Sequence, residues 1–571
     1  MVDRARWGAV VGVTLAGLTF LWWAAVPLGV PGEWTWQRVP LASPAARLDA
    51  FFGAAIATVC GAVLLWAVFL AARRVEAAGT GERAGWLVAL SVLAACWALA
   101  AQDAPPEGYD LAKWPRVQFY PASSGYFHLV RYEADDACGF WPAYERRVRD
   151  GEVLHLGTHP PGLFVLYEAT LRTLRRLPWV AEQLVAAEPE SIRAAAAIIR
   201  EHAARDGLAF DVVDEAALFA VALATLASWA LAMPAIYSLA APWCGARWAM
   251  LAAGGWAFVP APLIFMPKSD VLFAGLAVAA LAVWMHALRT RSVVGVAVAS
   301  LLFWFGMTMS LVFLPVGLIA ALAPVLSTAF GMIRSRGTGD SRAKRPVCRE
   351  RAGAGGGSSE SSGCGWIAIA YAIGVSVFVV AVLVVGLAWG INLPKLWWLN
   401  GQNHAGFYER YPRSYWKWVL VNPLEASLAI GPVLVFLIAW ASVTLLRGVV
   451  GRSADDAIGV DGHHCESGKA EPAGAAFAAL AVWCSLWLSG KNSGEAARLW
   501  IPLFACATPL SAIGFANWAM HGAGPQAARN GAARPVDRTA ADRLSAAMAL
   551  LALQAVYGLL VVIRVHGFHY P

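Results

Sequence analysis

Long apolar runs recur along this chain, and the connections between them fall into two kinds: short basic ones and longer ones rich in aromatic and mixed-charge residues. A helix that crosses a hydrocarbon layer needs about 20 apolar residues. Roughly thirteen runs of that kind begin near Trp7, Phe51, Trp86, Leu218, Ala246, Val271, Val293, Leu311, Ile367, Ser427, Ala476, Leu499 and Ala546. The pattern predicts an all-α integral membrane protein, a polytopic bundle of about 13 transmembrane helices. Arg4 and Arg6 precede the first run as they would in a secretory signal. No small-residue cleavage site follows it, so this run is expected to remain as a span.

The basic connections set the orientation. With Arg4 and Arg6 inside, alternation returns Arg73, Arg74 and Arg83 to the inside, then Arg247, then Arg289 and Arg291. The Arg334 to Arg351 linker, Arg447 with Arg452, and the Arg529 to Arg543 connector follow on the same side, as the positive-inside rule requires. Outside lie Asp103 to Asp211, the MPKSD turn at 266–270, the stretch from NLPKLWW to VNPLE, and SGKNSGEAAR at 489–498. These segments read least like generic connectors.

Composition agrees with a membrane protein: 59% of the 571 residues are hydrophobic and only 14% are charged, which excludes an ordinary soluble domain. The spans hold almost no Asp, Glu, Lys or Arg, which argues against an ion-coupled transporter. Net charge is +7, but seven of the basic residues sit between Arg334 and Arg351, ahead of the flexible AGAGGGSSESSG stretch at 352–363. Between two spans such a cluster reads as a cytoplasmic retention signal and not as a nucleic-acid site. The nine cysteines are scattered, with Cys138 alone in an external loop, so no disulfide framework is expected. His463, His464 and Cys465 lack further ligands at zinc-site spacing, and no metal site is assigned.

The chain divides into N-terminal transmembrane helices (1–102), a large external loop (103–213), a transmembrane core (214–332) and a basic Gly/Ser-rich cytoplasmic linker (333–364). A C-terminal transmembrane region (365–571) follows, with external loops at 391–423 and 489–498. A loop of over a hundred residues is functional or disordered. The aromatics of the first one, among them Trp114, Phe119, Tyr126, Phe127 and Trp141, argue against disorder. Within it, Glu190 to Ala204 has a helical pattern with Ile192, Ala196 and Ile199 on one face, an interfacial helix expected to lie along the membrane surface.

Four stretches carry chemistry. In GYFHLVRYEADDACGFWPAYERRVRDGEVLHLGTHPPGLFVLYE (125–168) the paired Asp135 and Asp136 suit a general base, because proximity raises the pKa of one member; the competing reading is a helix cap. Asp103 and Asp110, just past the third span, are rivals. Pro160 and Pro161 should hold Thr158 and His159 extended, with Thr158 capping the helix that follows and His159 at its anion-favouring end. In MPKSDVLFAG, Lys268 and Asp270 stand at the mouth of a span, where a lysine could also simply snorkel. The third stretch joins His404, Arg410, Arg413 and Lys417 to rings including Tyr415 and Trp418. Arginine forks suit phosphate oxygens and flat rings suit sugar or prenyl chains, although aromatic belts also give such density. Finally SGKNSGEAARLW offers Lys491, Glu495 and Arg498, the last two also able to pair at i, i+3.

In order along the chain, Tyr126-Phe127, Asp136, Tyr144 and His155 to Gly162 are followed by Asn403-His404, Phe407, Arg413, Tyr415, Trp418, Asn422-Pro423 and Glu425, then Gly494-Glu495, Arg498 and Trp500. This set resembles the polytopic glycosyltransferases of the GT-C type, which include protein mannosyltransferases and aminoarabinose transferases, and in particular bacterial members with a THPPG pattern. The matching segments cover about a quarter of the chain. In familiar members the acidic residue follows the first span closely, whereas here the large loop follows the third. Two extra N-terminal spans would account for that, and they leave the base open among Asp103, Asp110, Asp135 and Asp136.

The resemblance implies sugar transfer, with inversion, from a polyprenyl-phosphate donor to an envelope glycan, lipid or protein acceptor. The active site would face outside or the periplasm from the inner membrane. An Asp would deprotonate the acceptor hydroxyl, Arg413 with His404 or Lys268 would stabilise the departing lipid phosphate, and His159 would orient either group. No nucleotide cofactor is implied and no cofactor is certain; dependence on a divalent cation stays open. Membrane lipids are expected partners and nucleic acid is not. A flippase of lipid-linked sugars is the alternative from another class, and a scaffold of an envelope complex is a second.

Overall fold

The fold is that of a computed structural model, which describes residues 2–23, 25–133, 144–153, 157–337, 359–450, 470–521 and 536–568. Asp135, Asp136, Cys138, His155 and the His463-His464-Cys465 cluster lie outside the described residues.

All thirteen apolar runs are helical, and the protein is an all-α polytopic membrane bundle. Eleven helices are long and apolar enough to cross a membrane, or twelve if Ile501–Ala507 and Leu510–Met520, bent by 45°, count as one span. The thirteenth, Val293–Met309, has 17 residues, about 26 Å at 1.5 Å per residue against a hydrocarbon core of about 30 Å. The run placed at Ser427 divides between two helices. Tyr415–Ile430 ends at Gly431, whose φ of +99° breaks the axis, and the span itself is Pro432–Val449.

Val212–Cys244 is the central helix, packed on Thr80–Gln102, Ala246–Ala257 and Ser269–Thr290. Lipid supplies no hydrophobic drive between helices, so close packing relies on small residues. Gly275 shows the consequence: a Cβ there would stand 2.0 Å from the Ser228 carbonyl oxygen. Gly275→Val is therefore expected to separate the two helices at a cost of ~3 kcal/mol or more, and to remove most of the monodisperse peak of detergent-purified protein in size-exclusion chromatography. At the basic end of the bundle Arg289 holds Glu471 with its Nε 3.0 Å from Oε1, and Arg247 pairs with Glu76.

Two features of the opposite end were not expected. Residues 28–38 form a hairpin, β1 (Leu28–Val30) and β2 (Trp34–Arg38), and β2 pairs antiparallel with β3 (Val565–His566) near the end of the chain. Arg38 reaches back to the carbonyls of Leu21 (2.6 Å) and Phe20 (3.0 Å), closing the orphan acceptors of the first helix. The stretch from NLPKLWW to VNPLE is also not a loop: it lies in two helices, Leu393–Arg410 and Tyr415–Ile430.

In the 103–213 segment, Glu190–Arg205 is helical as its pattern requires, and Ile192, Ala196 and Ile199 are buried. Their face packs against the short Lys113–Phe119 helix. Arg131 anchors the segment through Asp214 at 2.6 Å, and Asp211 caps Val212–Cys244 by accepting from the amides of Val213 and Asp214.

Candidate functional site

The loops singled out by the sequence meet at one end of the bundle. Lys268 and Asp270 begin Ser269–Thr290 and are both buried. Arg498, from the 489–498 loop, lies between carboxylates of two different segments: its Nη2 is 2.9 Å from Glu495 and its Nε 3.4 Å from Asp270. Glu495 therefore pairs with Arg498 at i, i+3, and its side chain does not cap the short Ala496–Leu499 helix. Lys268 donates to the Ser123 carbonyl. Burial first, and Arg498 beside it second, depress its ammonium to about 7. It does not snorkel; it is held in the interior among fixed charges.

Beside this cluster is a small pocket, with room for about one water molecule, whose wall includes Gln118, Ser124, Tyr126, Tyr167, Thr225 and Lys268. Hydroxyls, an amide and an ammonium around one small space form a polyol-type lining, with donors and acceptors facing inward. Tyr167 is oriented by its bond to Gln118 (2.8 Å), whose amide nitrogen is itself tied to the carbonyls of Trp114 and Leu218. The Tyr126 phenol is held well above its ordinary value by burial, then by Asp270, so it serves as a neutral hydrogen-bonding group.

The histidine-proline corner meets one residue of this pocket's wall. The His159 ring stands edge-on to Tyr126, with centroids 5.7 Å apart. The corner is fixed from the third stretch: Asn400 donates to the carbonyls of Gly157 (2.7 Å) and His159 (3.1 Å), and Asn403 to those of Val148 (2.7 Å) and Gly157 (3.0 Å). Tyr144 also donates to the His159 carbonyl. Two expectations change here. Residues 157–158 form a turn and not an extended segment, because Thr158 lies beyond the pre-proline restriction on the residue directly before Pro160. Nor does Thr158 cap the following helix, whose N-cap is Pro161 with no side-chain bond; its Oγ1 meets His159 Nδ1 at 3.0 Å instead.

His404 also faces this end. Its imidazole is held below its ordinary value by burial, with Glu495 and Lys491 the charges acting on it. Tyr408, one turn on, accepts from the Asn492 amide at 2.5 Å, which joins the third stretch to the 489–498 loop. Lys491 and Arg410 are exposed, and the Tyr415 hydroxyl donates to the Leu488 carbonyl at 2.7 Å.

Arg413 and Trp418 are engaged elsewhere. Arg413 donates to the Glu33 carbonyl and lies 5.6 Å over the Trp34 ring, while Trp418 Nε1 donates to Glu33 Oε2 at 2.8 Å. The Ser414 amide (2.8 Å) and Lys417 (3.2 Å) complete the set on that carboxylate. These bonds, led by Ser414, pull Glu33 down to about 2. Sequence reasoning missed Glu33. The signal was present, since alternation puts residues 23–43 outside as well, and a lone carboxylate among Trp34 and Trp36 there has no basic neighbour in the sequence until Arg38.

Asp103 and Asp110 form a separate group. Asp103 accepts from the Ser191 hydroxyl (3.4 Å) and Asp110 from the Ala112 amide (2.9 Å). Burial holds both carboxyls above the ordinary range. Beside them the buried Lys113 donates to the Leu263 carbonyl at 3.0 Å and is depressed by burial to about 7. Neither Asp lines the Lys268 cavity. The carboxylates that share a cluster with Lys268 and Arg498 are Asp270 and Glu495. A third, Glu425, quoted above only as part of a pattern, accepts from Trp36 Nε1 (2.9 Å) and the Ala497 amide (3.1 Å), and burial pushes it up to about 7. Among the described residues, no three His, Cys, Asp or Glu side chains gather as metal ligands.

No protein-family model and no curated protein matches the chain. Among solved structures it aligns with the oligosaccharyltransferase of Archaeoglobus fulgidus crystallised with Zn and sulfate, at 13% identity and a TM-score of 0.43, covering 84% of this chain and 53% of that one. It also aligns with archaeal oligosaccharyltransferase AglB from Archaeoglobus fulgidus, in complex with an inhibitory peptide and a dolichol-phosphate, at 13% identity and a TM-score of 0.42, covering 85% and 56%. The chain thus spans little more than half the length of these proteins.

Proposed function

We propose that this protein is a membrane glycosyltransferase that moves a sugar from a polyprenyl-phosphate donor to an acceptor on the non-cytoplasmic face, with inversion. The observation that carries the reading is the buried cluster of Lys268, Asp270, Glu495 and Arg498 beside a hydroxyl-lined pocket, whose wall residue Tyr126 meets the His159 ring. In such a transfer the acceptor oxygen bonds to the anomeric carbon as the bond from that carbon to the phosphate oxygen breaks. The electron pair leaves with the phosphate, and the acceptor proton passes to a carboxylate. Preorganised cations near a departing phosphate in a water-poor site stabilise that charge, the role given to Lys268 and Arg498. Arg413, committed to Glu33 and Trp34, is a positioning residue here: it holds the third stretch against the hairpin. The base belongs to the set Asp103, Asp110, Asp135 and Asp136. A divalent cation would act as a further counter-charge to the phosphate.

The experiment is a transfer assay with full-length protein in nanodiscs, given a radiolabelled polyprenyl-phosphate sugar and envelope extracts. A labelled glycoside together with free polyprenyl phosphate is the expected result. Retention of all label on the lipid across a panel of sugars and extracts would overturn the reading. Each Asp→Asn variant of the set is tested alongside, and one of the four should abolish product while donor binding persists.

A further inference from the structure

A second, partly open cleft lies between the end of the first helix, the β1–β2 hairpin and the Tyr415–Ile430 helix. Its wall is hydrocarbon, with Leu21, Ile264, Phe265, Leu428 and Val561 among the lining residues, and one titratable side chain, Glu425, interrupts it among the described residues. Glu425 is 9% exposed. Its Oε1 is occupied by Trp36 and the Ala497 amide. Its Oε2 is buried with no hydrogen-bond partner. A buried carboxylate oxygen without a donor costs free energy, and here it lines an apolar cleft that opens to the surface.

We infer that this cleft binds a lipid alcohol, with its hydroxyl hydrogen donated to Glu425 Oε2 and its hydrocarbon chain along the apolar wall. The chemistry of the head group follows from its neighbours. A phosphate would meet a carboxylate oxygen, and like charges repel in a low-dielectric site. An ammonium would have to enter the field of Arg498, which acts on this same carboxyl. A hydroxyl carries no charge and supplies the missing donor. The Leu424 side chain, 47% exposed at the rim, leaves the apolar side accessible. This site is independent of the sugar-transfer reading, since occupancy is measured without turnover.

The test uses the full-length protein in nanodiscs at pH 8.5, where Glu425 is ionised and can only accept. Three probes compete against a diazirine-tagged farnesol: farnesol, farnesyl methyl ether and farnesyl phosphate. One hydrogen bond to a charged acceptor predicts that farnesol competes about tenfold or more better than the ether, and better than the phosphate. Glu425→Gln keeps an oxygen for Trp36 and Ala497 but turns an N–H into the cleft. Either oxygen can then accept, so the difference between alcohol and ether should vanish. Ala429→Phe, which fills the cleft, should weaken all three. Equal competition by alcohol and ether in the unmodified protein would reduce the cleft to a nonspecific greasy groove. Stronger competition by the phosphate would place the head group at a basic site instead. Either result, or no labelling at all, overturns the inference.

Discussion

Replacing Lys268 with Met is expected to lower kcat/KM for the proposed transfer by about 10²–10³, the usual loss when one preorganised donor to a developing anion is removed. The substitution keeps most of the side-chain volume, and because Lys268 donates to a carbonyl and is not a salt-bridge partner, the protein should still fold. The same residue sets a pH dependence. With its ammonium depressed to about 7, Lys268 is charged on the acid side and neutral on the alkaline side. Affinity for a phosphate-bearing donor should therefore be high below pH 7 and fall as pH rises through 7. Since kcat/KM reports the free enzyme, the fall belongs there, while kcat changes less because a bound anion holds the proton on. In Lys268→Met the step near pH 7 should disappear. A step of unchanged size would assign it to another group, the depressed Lys113 being the first to examine.

Arg498→Met is expected to be more damaging to the fold than to any single step. Arg498 neutralises two carboxylates at once, Asp270 at 3.4 Å and Glu495 at 2.9 Å, and its side chain is only 14% exposed. Taking one partner out of a buried charge group leaves the remainder uncompensated, at a cost of about 3–5 kcal/mol. A fluorescence melt of the detergent-purified variant should show a clear drop in midpoint. Two further changes separate charge from packing. Adding Asp270→Asn and Glu495→Gln to Arg498→Met removes the stranded charges and should recover most of the stability, because neutral groups of the same shape have little to lose. Recovery of stability without recovery of transfer would be the signature of a cation that both builds the site and works in it. If the triple variant melts as low as the single one, the guanidinium contributes through its contacts and not through its charge.

Much of this architecture is legible in the primary chain because a bilayer imposes a strict rule: every span must be apolar, long and internally hydrogen-bonded. Hydropathy thus located thirteen helices, and the positions of arginines sorted the connections into two sets. The helix at Glu190–Arg205 was equally readable, since Ile192, Ala196 and Ile199 repeat with helical period. What could not be read is contact between distant loops. Lys268, Asp270, Glu495 and Arg498 were each singled out, but nothing in two segments over two hundred residues apart says that Arg498 lies between Asp270 and Glu495. Arg413 illustrates the opposite case: an arginine among tryptophans suggests a phosphate ligand, and the partner that occupies it, Glu33, is 380 residues away. Glu425 entered the sequence reading only as part of the ordered motif set, and its contact with Trp36 depends on the hairpin.

The small outer sheet has a consequence for how the molecule is made. Its first two strands are synthesised before the helices from Pro44–Arg74 to Val536–Arg564, whereas its third, Val565–His566, comes after them. Val39 and Arg564 exchange bonds alongside, with the Val39 amide donating to the Arg564 carbonyl at 2.9 Å and the Arg564 guanidinium donating to the Val39 carbonyl. The hairpin that carries Glu33 and Trp36 must therefore wait, with one edge unpaired, until every intervening helix has been made. Completion of that rim therefore requires Val565–His566, and a chain halted before Val565 would leave that strand edge open.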